Sequence, residues 1–157
     1  MIRSHLLNAA AMIAAAVLTA CTDTSTTAPK NPVLGPPPVV LRSGALHLAT
    51  VCSQYTGLAG SSCTIASSNI AEIAVGSPVI YASAVVTAAL HSDVVVDPPL
   101  APENAAFGHC DLDLATGSGQ CTFSEGTGTL AGFRASAVAA YAGGNIWYWD
   151  GTYSFVQ

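Results

Sequence analysis

The chain has 157 residues, 51% hydrophobic and only 8% charged, with a formal net charge of −5. That balance is the reverse of a disordered chain's and suits one packed domain with tails. Beyond Arg3 the basic side chains are Lys30, Arg42 and Arg134, too few and too scattered to neutralise a row of phosphates or to build a basic membrane patch, so neither nucleic acid nor a polybasic lipid contact is expected.

Arg3 precedes an apolar segment from Leu6 to Leu18, which is followed by the small residues Thr19 and Ala20. The segment falls short of the ~20 residues needed to cross a bilayer core, so residues 1–20 read as an export signal. The residues Leu18-Thr19-Ala20-Cys21, "LTAC", resemble the lipobox of bacterial lipoproteins. The resemblance implies cleavage before Cys21, diacylglycerol on its sulfur and an acyl chain such as palmitate on its new amine. Several chains, at ~0.8 kcal/mol per buried CH₂, make a stable anchor where one does not. The implied partner is membrane lipid through Cys21, and the implied location is the bacterial cell envelope. Thr22, not Asp, follows the cysteine, which by the usual lipoprotein sorting rule favours the outer membrane in a cell that has one.

Residues 21–38 continue as "CTDTSTTAPKNPVLGPPP", a polar, Pro-rich tether without apolar period. The body, 39–157, reads as strands. "ALHLATVC" is followed by the Gly/Ser-rich connection "SQYTGLAGSS" and by "CTIASSNIAEI". After Gly76-Ser77-Pro78 comes "VIYASAVVTAAL", whose β-branched residues favour a strand over the helix its alanines suggest. "HSDVVVD" is a further short strand, stopped by Pro98-Pro99. In "HCDLDLATGSGQCTFSE", Cys110, Leu112 and Leu114 alternate with Asp111 and Asp113, "TGSG" supplies a turn, and the chain returns through Cys121 and Phe123. This is a hairpin whose cysteines face each other if it pairs symmetrically.

The last 30 residues give two more strands about the turn Gly143-Gly144-Asn145. Trp147, Trp149, Tyr153 and Phe155 share a face if the strand runs straight through Gly151, where a bulge or kink is expected. The five cysteines divide into Cys21 for lipid and an even set of four. Of the three possible connectivities the expected one is Cys52–Cys63 with Cys110–Cys121, formed in an oxidising compartment. Zinc is the competing use, but neither pair has CxxC-like spacing. Short, regularly spaced strands without a long amphipathic helix indicate an all-β domain, an antiparallel barrel or sandwich with two disulfide-stapled hairpins.

The segments "CTIASSNIAEIAVGSPVIY", "HSDVVVD", "FGHCDLDLATGSGQCTFSEGTGTLAGFRA" and "WYWDGTYSF" resemble a group of exported bacterial proteins without an assigned activity. Locally, "GTGTLAGFRA" is similar to the Gly-rich strand and turn of allene oxide cyclase and dirigent-type proteins. That similarity implies an antiparallel barrel and carries no catalytic residue across.

Little in the body suggests chemistry. His47, His91 and His109 lack close metal-ligand spacing, although His91 and His109 could approach Asp93 or Asp111. "DLDLATGSG" lacks the later oxygen ligands and closing glutamate of a calcium loop, "EGTGT" lacks the lysine and helix of a phosphate loop, and no GxSxG elbow is present. Glu72, Asp93, Asp97 and Glu103 could pair as acid and base, or simply hold turns. No catalytic residue, metal or cofactor is assigned. The aromatic set Trp147, Trp149, Tyr153 and Phe155 is core, or else a platform for a sugar or hydrophobic ligand. The expected function is therefore a lipid-anchored, non-enzymatic structural, interaction or binding module of unknown partner. The alternative is a small barrel that binds or isomerises a hydrophobic molecule, which calls for an open apolar mouth and a buried carboxylate.

Overall fold

The computed structural model describes residues 39–97 and 103–157; the export signal, Cys21 and the tether lie outside them. Eight strands form: β1 (Val40–Val51), β2 (Ser62–Ser68), β3 (Pro78–Tyr81), β4 (Ala89–Val96), β5 (Ala106–Asp113), β6 (Ser118–Gly126), β7 (Phe133–Gly143) and β8 (Ile146–Val156). Each is antiparallel to its neighbours in sequence, and β1 pairs with β8 from Val40↔Val156 to Val51↔Ile146, closing an eight-stranded barrel. A barrel of this size has an interior that side chains can fill or that holds one small ligand.

Period-two alternation decides which side chains go inside. In β4, Leu90, Ser92, Val94 and Val96 are buried; in β5, Cys110 and Leu112 are buried while Asp111 and Asp113 face solvent. On β7 the inward residues after Phe133 are Ala135, Ala137 and Ala139. They lie opposite Tyr153, Gly151 and Trp149 of β8, so small side chains on one strand make room for large ones on the next.

Three local expectations are corrected. "VIYASAVVTAAL" is not one strand: β3 stops at Tyr81, and the chain turns through Thr87 and Ala88, both at positive φ, before β4 opens at Ala89. The turn uses no Gly, Pro or Asn, and so carries none of the usual signals. The β5–β6 turn occupies 114–117; Asp113 accepts hydrogen bonds from the Ala115 and Thr116 amides, and Ser118 and Gly119 already belong to β6. At Gly151 the pairing with both neighbours continues without a register shift, so there is no bulge. Glycine is needed there for close approach: a Cβ would collide with the Ser136 carbonyl oxygen and with Ala137 Cα.

The two ends of the barrel differ. At one end the β2–β3 connection turns Ile70 and Ile73 inward, and a short 3₁₀ turn, Gly128–Leu130, does the same with Leu130; all three are buried with Phe133 and Phe155 in the core cluster. Arg42 lies above the aromatic rings here, 4.4 Å from the Phe155 centroid, and pairs with Glu72 at 2.8 Å. The opposite end, ringed by the β1–β2, β3–β4, β5–β6 and β7–β8 connections, is open.

Candidate functional site

A cavity of about 250 Å³ occupies the open end. Leu90 of β4, Leu112 of β5, Leu114, Tyr81 of β3 and Trp147 of β8 line it. Tyr141 packs at a tilt against Trp147, ring centroids 5.4 Å apart, and its half-exposed side chain forms part of the rim.

Tyr55 reaches the cavity from the loop between β1 and β2, a segment the sequence presents only as a Gly/Ser-rich connection. The loop is held at several places. The Cys52–Cys63 disulfide closes its base, the Gly60 amide donates to the Tyr81 carbonyl at 2.7 Å, and the Val85 amide donates to the Gly57 carbonyl at 2.8 Å. The Cys52 amide also donates to the Asn145 carbonyl, joining the loop to the β7–β8 turn. The Tyr55 ring meets Tyr81 edge-on, centroids 5.4 Å apart.

The site is apolar but contains unpaired hydroxyls. Tyr81 is 3% exposed and its hydroxyl makes no hydrogen bond among the described residues; burial raises its pKa well above the ordinary tyrosine range, with the nearby Tyr55 adding to the shift. The Tyr55 hydroxyl is occluded and also lacks a hydrogen-bond partner. Burial raises its pKa too, and the nearby Ser61 hydroxyl, which donates to the Leu58 carbonyl, opposes this only in part. Both phenols therefore remain protonated donors at neutral pH. No carboxylate or imidazole lines the cavity.

Of the aromatic set from the sequence, all four side chains share the inner side of β8, but only Trp147 reaches the cavity. Trp149, 1% exposed, fills the middle of the barrel against Phe123, and Tyr153 and Phe155 lie under Arg42 at the closed end. The four are not one platform, because eight residues of strand rise roughly 26 Å, the depth of the barrel itself. Tyr55 and Tyr81 are the cavity residues that the sequence did not single out. The one hint was that Tyr55 follows Cys52 by three residues, inside a loop expected to be closed by a disulfide.

The second disulfide, Cys110–Cys121, joins residues directly opposed on β5 and β6 and is buried in the core. Outside the barrel the histidines do find carboxylates. His47 Nδ1 lies 2.7 Å from Asp150, His91 Nδ1 2.5 Å from Asp111, and His109 Nδ1 2.9 Å from Asp93. All are solvent-facing cross-strand pairs, and among the described residues no group of three or more His, Cys, Asp or Glu is arranged to hold a metal ion. Glu72 pairs with Arg42 and the solvent-facing Asp93 with His109, and neither carboxylate lines the cavity.

Comparison of the chain with protein-family models, with curated proteins and with solved structures finds no match.

Proposed function

We propose that this protein is a lipid-anchored binding module of the cell envelope, whose barrel mouth takes up a small hydrophobic molecule. The observation that carries the reading is the aromatic-lined cavity at the open end of a closed barrel. Concave, largely apolar sites with a few polar groups are what small-molecule binding requires, and barrel mouths are a recurrent place for them. The resemblance to a lipobox at Cys21 and the export-type segment before it support the anchor; the two disulfides suit an oxidising compartment. The local similarity to cyclase and dirigent-type barrels agrees with the closed barrel.

Binding is favoured over isomerisation. Moving a proton needs a group that is basic near working pH, and the cavity offers only phenols that burial keeps protonated. Two measurements test the reading. Cys21→Ser should shift the protein from the membrane to the soluble fraction; unchanged fractionation would refute the anchor. Mass spectrometry of protein extracted from its native envelope should reveal a co-purifying apolar small molecule, lost on denaturation.

A further inference from the structure

We propose that the cavity selects a compact, neutral, apolar molecule carrying one hydrogen-bond acceptor, such as a ketone, lactone or ester, and that Tyr81 is the specificity-determining residue that donates to it. This deepens the binding reading and rests on it.

The size comes from the cavity. A cavity of roughly 150 Å³ accommodates benzene, so about 250 Å³ corresponds to roughly ten non-hydrogen atoms. The polarity comes from what the cavity leaves unpaired. Tyr81 is almost wholly buried, its hydroxyl has no acceptor among the described residues, and it is not among their fully occluded unpaired atoms, which are Thr50 Oγ1, Tyr55 Oη and Glu72 Oε2. Since the residue lines the cavity, the surface that this side chain retains faces the ligand space. A buried donor without a partner is unfavourable, and water is a poor remedy beside Leu90, Leu112, Leu114 and the Cys52–Cys63 disulfide, because an ordered water needs two to four polar partners. A ligand carbonyl supplies the missing acceptor and fills the apolar space together.

Neutrality follows from the absence of any cationic side chain in the lining: a ligand carboxylate would be desolvated without a counter-charge. Tyr141 sits on the rim with its side chain half exposed, where its oxygen accepts from the Asn145 backbone amide at 3.4 Å and its own O–H is open to water, so Tyr81 is the donor buried within the site. Tyr55 packs on the Tyr81 ring and positions it, with its own hydroxyl occluded.

The test compares indane with 1-indanone, nearly identical in shape, the second bearing a carbonyl. Affinities are measured by calorimetry on the full chain carrying Cys21→Ser, which keeps detergent out of the cavity, with both disulfides intact. The ratio of indanone to indane affinity should fall by about two- to tenfold in Tyr81→Phe, the effect of one net hydrogen bond, while indane affinity stays unchanged. An unchanged ratio overturns the assignment to Tyr81 but leaves the apolar-ligand reading standing; binding of neither compound removes that reading itself. Should Tyr81→Phe fail to fold, the infrared carbonyl stretch of 1-indanone bound to the Tyr81-containing protein decides the matter. A shift to lower frequency than in an alkane supports the hydrogen bond, and an unshifted band overturns it.

Discussion

Thr50 is a hydroxyl with nothing to bind. It is fully buried beside the register shift between Ala49 and Thr50 on β1, and its Oγ1 has no hydrogen-bond partner among the described residues. A buried polar group in that state costs about 1–3 kcal/mol. Thr50→Val removes the hydroxyl while nearly keeping the shape, so the expected outcome is a gain of about 1 kcal/mol, read as a higher urea midpoint at unchanged slope. A loss of stability would mean that the hydroxyl has a role in the barrel that the static geometry conceals. Alternation placed the β5 side chains correctly from the sequence, because Cys110, Leu112 and the two aspartates obey a local period. Thr50, Tyr55 and Tyr81 were not legible: whether a hydroxyl is paired depends on neighbours from other strands, and those neighbours are far away in sequence.

At the scale of elements, the two disulfides have the same sequence separation, 11 residues, and different work. Chain entropy assigns each about 3 kcal/mol. Cys110–Cys121 is also buried core, so Cys110→Ala with Cys121→Ala should lose more stability than the other pair, because a cavity cost adds to the entropic one. Cys52–Cys63 closes the loop that carries Tyr55 and itself lines the cavity. Cys52→Ala with Cys63→Ala should weaken indane binding at least tenfold in protein still folded by circular dichroism; retained affinity would show that the loop stays in place without its staple.

The exposed β4–β5 ladder makes a pH prediction. Asp93, and then Asp111, raise the pKa of His109, while His91 and His109 lower that of Asp111; Glu125 of β6 lies along the same groove as Asp93 and His109. The His109 contribution is complete below an unfolded-state value of about 6.5 and is lost as pH rises through its raised folded value; the Asp111 contribution is present above about 3.9 and is lost as pH falls through its lowered one. The ladder therefore stabilises most between these limits. Denaturation midpoints at pH 5.5 and 8.5 should fall closer together in His109→Gln than in the unaltered protein. The effect should be small and should shrink with salt, as befits exposed pairs.

For the whole molecule, the sequence supported an all-β domain with paired cysteines, and hairpins read well wherever a turn and its two strands are contiguous. Closure was not legible. Barrel and sandwich share the same alternation, and the pairing that separates them, β1 with β8, joins Leu46 to Gly151 and His47 to Asp150 across almost the entire body. The open end was likewise hidden, because it is defined by four connections meeting in space, while Ile70, Ile73 and Leu130 fill the other end from segments that carry no strand period of their own.

That seam between the first strand and the last has a consequence for how the protein is made. A ribosome delivers the amino end first, so β1 emerges with its final partner still unsynthesised. Until Ile146–Val156 arrives, both β1 and β7 present unpaired edges, the kind of edge that recruits other chains, and the long-range pairing is intrinsically slow to form. Closure of the barrel therefore waits on Ile146–Val156, the one strand that seals two open edges at once.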